Sequence, residues 1–247
     1  MHSKKLEFEK LYNVRDLCAI RNKDGFAIKP NCLIRGSRLY EASKNDIKDL
    51  YEKYHVRTIF DFRTETEQYE KPDQIYLDTR YIYNGVQQSQ TIGVTQDEKS
   101  VEEMKKFFAE LDKKMKNLDF KITHMCEFYR TLVSDYTCGK YAYFLKEVLQ
   151  SEEATYWHCS LGRDRCGIGT ALVLECLDVD RKDIIEDYLY TNECANMIPN
   201  YDGTYVEYIN AYYDEVEKKY KSVDKMLEHM GITKKEKQMF KDKFLEK

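Results

Sequence analysis

ATYWHCSLGRDRCGIGTALVLEC, residues 154–176, decides how the rest of the chain is read. Ala154, Thr155, Tyr156 and Trp157 have the character of a buried strand, and they include the only tryptophan. The apolar run after Arg165 predicts a buried helix over about 165–177. Between the two lies a turn holding Gly162, which can take a backbone conformation that other residues resist. A strand, a glycine-bearing turn and a helix start together form an anion-binding geometry, because the first turn of a helix has unpaired N–H groups and the positive end of its dipole.

Outward from this stretch the pattern alternates. VRTIFDF, residues 56–62, predicts a second buried strand, with Asp61 and Arg63 near its carboxyl end, and TRYIYNGV a third around 79–86. Short extended runs with turn signals fill residues 13–40, including a hairpin around Asp24-Gly25. Ser43 with Asp46 resembles a capping box before a helix carrying Ile47, Leu50, Tyr51 and Tyr54. Helices are predicted around 122–136, 139–150 and from Asp180 through Leu189, the last opened by cap-like acids, and the C-terminal third reads as helical with a stop at Met230-Gly231-Ile232. Val101, Met104, Phe107, Phe108, Leu111, Met115 and Leu118 share one helical face, so a lid-like helical insertion is expected at about 87–120. Strands separated by helices predict an α/β fold of three layers with added C-terminal helices. No Gly- or Pro-rich linker divides the 247 residues, which are read as one domain.

Composition excludes several function classes. A net charge of −4 argues against a nucleic-acid partner. No stretch approaches the roughly 20 apolar residues of a membrane span, and MHSKKLEFEK lacks the apolar centre of a secretory signal. The eight cysteines are scattered without a CxxC pair, which predicts reduced thiols in a cytoplasmic protein. Neither they nor the five histidines show ligand spacing, so no metal or other cofactor is expected.

In the loop, the backbone amides of Ser160, Leu161, Gly162 and Arg163, continuing to Arg165, can curl around three phosphoryl oxygens. The Arg165 guanidinium offers a planar fork for two of them. Cys159 lies at the floor, where a helix dipole and arginines favour the thiolate. A thiolate in line with phosphorus makes a phosphocysteine and splits hydrolysis into two displacements, with amides and arginine covering the transition-state charge.

These residues resemble the cysteine-dependent protein tyrosine phosphatases, and most closely a bacterial branch of atypical tyrosine/serine phosphatases that also hydrolyse phosphoinositides. The branch loop, HCxxGKDR(T/S)G, is matched by His158, Cys159, Gly162, Asp164, Arg165 and Gly167. Its NxRDLGG motif corresponds to Asn13, Arg15, Asp16 and Leu17, and its DLRTxxE strand end to Asp61, Phe62, Arg63, Thr64 and Glu67. The resemblance implies a phosphatase-like fold with a mostly parallel central sheet, Cys159 as nucleophile, Arg165 as phosphate clamp and His158 as a support of the cysteine through the loop's hydrogen bonds. It implies phosphotyrosine, phosphoserine/threonine or phosphoinositide substrates.

A general acid must also be found. Asp164 lies in the loop, Asp61 at a strand end where α/β sheets place their sites, and Asp73 in a KPD triplet. Arg63 and Arg15 are expected to pair with acids rather than touch phosphate. Three departures stand out: Arg163 replaces the branch lysine, Cys18-Ala19 replace a glycine pair, and Cys166 replaces a hydroxyl residue. A thiol donates weakly, so slower phosphocysteine breakdown is expected, with a Cys159–Cys166 disulfide as a second possibility. A weakened phosphate-binding pseudophosphatase and a thiol redox protein are the competing readings.

Overall fold

Trp157 lies in the middle of a six-stranded sheet. The computed structural model describes residues 1–87, 106, 109–111, 113–198 and 201–246. The strands are β1 (Lys4–Lys5), β2 (Arg15–Asp16), β3 (Leu33–Gly36), β4 (Val56–Asp61), β5 (Arg80–Tyr83) and β6 (Ala154–His158), in the spatial order β1-β2-β3-β6-β4-β5. The first two pairings are antiparallel; β3, β6, β4 and β5 run parallel. All five residues of β6 are buried, as a central parallel strand covered on both faces requires.

Side chains alternate across the sheet. Leu33, Phe60, Ile82 and Trp157 enter the larger core; Ile34, Ile59, Tyr156 and Ala154 enter a smaller one with Leu6, Val14, Leu39 and Leu50. Phe144 stands edge-on to Phe60, Phe62 and Trp157, with ring centroids 5.0–5.4 Å apart.

The helices are α1 (Lys44–Glu52), α2 (Glu65–Glu70), α3 (Leu118–Thr131), α4 (Asp135–Gln150), α5 (Asp164–Cys176), α6 (Arg181–Leu189), α7 (Thr191–Cys194), α8 (Val206–Tyr220), α9 (Val223–His229) and α10 (Lys234–Phe244). The expected α/β class, the mostly parallel sheet and the C-terminal helices are all present. The Ser43–Asp46 capping box forms in full. Asp180 does stand at the N-cap of α6, but its side chain makes no capping hydrogen bond. Thr64 and Glu67, read as part of a strand-end motif, instead form a second capping box that starts a helix. Leu17–Ala19 wind into a 3-10 turn, and neither Cys18 nor Ala19 has positive φ, so the missing glycine pair needs no left-handed backbone. The expected lid at about 87–120 lies largely outside the described residues; Leu118, assigned to its stripe, opens α3 and is exposed. Among the described residues no helix is long and apolar enough to cross a membrane.

Register brings the parallel strands to a common finish. Gly36 and Asp61 both lie opposite His158, and Tyr83 lies opposite Asp61. The loop after β6 therefore emerges between two neighbouring strand ends, in the crevice where open α/β sheets place ligands.

Candidate active site

Cys159, only 2% exposed, follows β6, and Asp164 opens α5. Gly162 between them has φ +68°, and a Cβ there would lie 2.3 Å from the Gly36 carbonyl oxygen, so the turn needs glycine. The loop's carbonyls are held from behind. Asn13 Nδ2 donates to the Leu161 and Gly162 oxygens at 3.1 and 3.0 Å, and Arg35 Nη2 to Gly162 at 2.6 Å. His158 Nδ1 lies 3.0 Å from the Cys159 oxygen. Among the described residues every peptide bond is trans. A planar trans peptide sets the next N–H opposite each carbonyl, so those of Ser160, Gly162 and Arg163 point away from these anchors. The first N–H groups of α5 add their partial positive charge, and together they can receive an oxyanion.

Arg165 meets a carboxylate that the sequence reading gave no role. Its Nη1 and Nη2 donate to Glu67 at 2.6 and 2.8 Å, a bidentate pair, and Ser160 Oγ donates to the same carboxylate at 2.6 Å. Burial would raise the Glu67 pKa, but Arg165 and Ser160 outweigh it and hold the carboxyl well below the usual range. Glu67 thus orients the guanidinium while α2's capping box fixes Glu67. The Thr-x-x-Glu spacing in RTETE was the available signal.

On the rim, Asp164 receives three contacts. Tyr129 Oη donates to Oδ1 at 2.7 Å, and Arg163 Nε lies 2.9 and 3.0 Å from Oδ1 and Oδ2. Arg163 is neither free nor solvated: its Nη1 reaches Asp202 Oδ1 at 2.6 Å and the Gly203 oxygen at 3.0 Å.

Asp61 and Asp73 lie elsewhere. Asp61 is buried, the Asp73 side chain is covered, and the two share Arg63, which donates to Asp61 through Nε and Nη2 and to Asp73 at 2.8 Å. Tyr81 Oη stands 2.5 Å from one carboxylate and 2.9 Å from the other, and Gln68 also donates to Asp61. Burial alone would raise the Asp61 pKa; His158 and Arg63 overcome it and hold it at about 2. Its side chain has no exposure, and both of its oxygens accept from Arg63. His158 Nε2 lies 3.1 Å from Asp73, and although burial opposes its charge, Asp73 and Asp61 raise its pKa. Asp61, Asp73 and His158 are close enough for one metal ion, but the Arg63 guanidinium already bonds both carboxylates, and a second cation would meet it.

Cys166 is fully buried, and burial pushes its thiol up to about 11. Its Sγ lies 3.5 Å from the Trp157 oxygen, so the one hydrogen is directed at that carbonyl. Gly167 faces the Tyr188 ring, where a Cβ would come within 3.1 Å. Arg15 and Arg35 both lie within 4 Å of the buried Asp187, so Arg15, like Arg63, pairs with an acid. The sequence reading gave no role to Asp187, Arg35, Tyr129 or Tyr188, nor to Glu67.

A family model described as tyrosine phosphatase family matches residues 6–246. No curated protein matches the chain in sequence. The family match takes in the loop, the arginine–carboxylate pairs around it and every strand after β1, so the chain belongs to the tyrosine phosphatase family.

Proposed function

We propose that the protein is a phosphomonoester hydrolase working through a phosphocysteine, with phosphotyrosine as substrate and phosphoserine/threonine or phosphoinositides as further candidates. Cys159 Sγ attacks phosphorus while the ester P–O bond breaks and Asp164 gives its proton to the leaving oxygen. Water then attacks the thiophosphate, Asp164 takes the water's proton, and the P–S bond breaks to release phosphate. Arg165, oriented by Glu67, and the loop amides carry the transition-state charge. Asp61 and Asp73 build the wall, and His158 holds the Cys159 carbonyl. All eight cysteines are free, in keeping with a cytoplasmic setting.

The observation that supports this reading best is the loop's polarity: carbonyls of Cys159, Leu161 and Gly162 tied back, N–H groups turned the other way. Hydrolysis of an aryl phosphate, inhibited by vanadate and lost in Cys159→Ser, is the expected result. Hydrolysis that survives in Cys159→Ser would sink the proposal. A parallel panel of phosphotyrosine peptide, phosphoserine peptide and phosphoinositide assigns the substrate class.

A further inference from the structure

A chain of buried hydroxyls ends on the loop. Tyr129, on α3, donates to Asp164 Oδ1 at 2.7 Å, and its oxygen lies 2.6 Å from that of Tyr188, on α6. Tyr129 has one hydrogen and an ionised carboxylate can only accept, so that hydrogen belongs to Asp164 and Tyr188 must donate to Tyr129. Both rings are at most 1% exposed. Burial, and after it the Asp164 charge, keeps both phenols well above their ordinary pKa, so they stay neutral donors. Gly167 leaves the room that Tyr188 occupies.

The two Asp164 oxygens are unequal. Oδ1 accepts from Tyr129 and Arg163, whereas Oδ2 accepts from Arg163 alone. We propose that Tyr129, backed by Tyr188, is a positioning residue for Asp164, directing its proton to Oδ2 and stabilising the carboxylate left by the first displacement and used as base in the second. This rests on the assignment of Asp164 as acid and base. A hydrogen bond to a charged acceptor is stronger than one to a neutral acid, so the tyrosine chain favours the carboxylate in both steps. The other charged or titratable groups facing Asp164 are Arg163 and Arg165 in the loop, Tyr201 and Asp202 before α8, and Tyr208 on α8.

The test is the pH profile of kcat on an aryl phosphate. Asp164→Asn should abolish the limb that belongs to this residue. Tyr129→Phe should move that limb upward by about one pH unit with KM unchanged. Tyr188→Phe should move it the same way by less, since it only polarises Tyr129. Tyr208→Phe removes a buried hydroxyl that has no partner among the described residues, and should move nothing. A limb lost in Asp164→Asn but unmoved in folded Tyr129→Phe and Tyr188→Phe overturns the positioning role and leaves the Asp164 assignment intact. A limb that persists in Asp164→Asn removes both.

Discussion

Asp61 and Asp164 are each paired with an arginine close by in sequence, yet they are built for different work. Asp61 has no exposure, both oxygens bonded by Arg63, and further contacts from Gln68 and Tyr81. Asp164 is partly open, shares Arg163 with the half-exposed Asp202, and keeps one oxygen lightly engaged. The buried cluster balances Asp61 and Asp73 against Arg63 and His158; the rim cluster balances Asp164 and Asp202 against Arg163 and Lys121. Equal charge arithmetic therefore leaves one carboxylate sealed and the other within reach of solvent, and access is what separates them.

Substitution can break that contrast. Arg63→Met should cost the most, about 3–5 kcal/mol in urea unfolding, because two carboxylates remain buried without their partner. Arg163→Met should cost clearly less, because Asp164 and Asp202 keep access to water; equal losses would erase the distinction. Asp164→Asn should lower turnover by about 10²–10⁴ on a poor leaving group and much less on a good one. Asp61→Asn should instead lower stability and leave the leaving-group dependence as it was. Gly162→Ala should cost about 1–3 kcal/mol and distort the loop, as its φ and the Gly36 oxygen demand.

Acid sharpens the same comparison. The folded pKa of Asp61, about 2, lies below the ordinary aspartate value of 3.8. Its stabilisation is therefore present above 3.8 and lost as pH falls towards 2. Asp61→Asn should flatten the stability curve in that window, measured by chemical denaturation at stepped pH. Cys166→Ser should have the smallest effect, since the thiol hydrogen already faces the Trp157 carbonyl rather than the Cys159 sulfur. Markedly faster phosphocysteine breakdown in that variant would show the serine turned towards Cys159.

The layers and the loop were legible because local signals carry them: β-rich VRTIFDF and ATYWHC, the Ser43 cap, the glycine turn. What sequence could not supply was which carboxylate is covered. Asp61 becomes inaccessible through Tyr81, twenty residues away, and Asp73 through Leu39 and His158. The Glu67 role depends on α2 folding back over the loop so that Arg165 meets it, a contact spanning 98 positions. In sequence Tyr129 and Tyr188 are two of 21 tyrosines, and only their hydroxyl partners in the fold distinguish them.

The tie between Gly162 and the pair Asn13 and Arg35 reaches beyond the loop's shape. Those anchors come from β3 and the turn before β2, so the loop's form depends on the N-terminal strands being folded. An oxyanion that binds the finished loop thereby draws on a coupled equilibrium, in which ligand affinity and the closure of residues 13–36 are linked. Saturating tungstate should slow amide exchange along that segment, which meets the back of the loop.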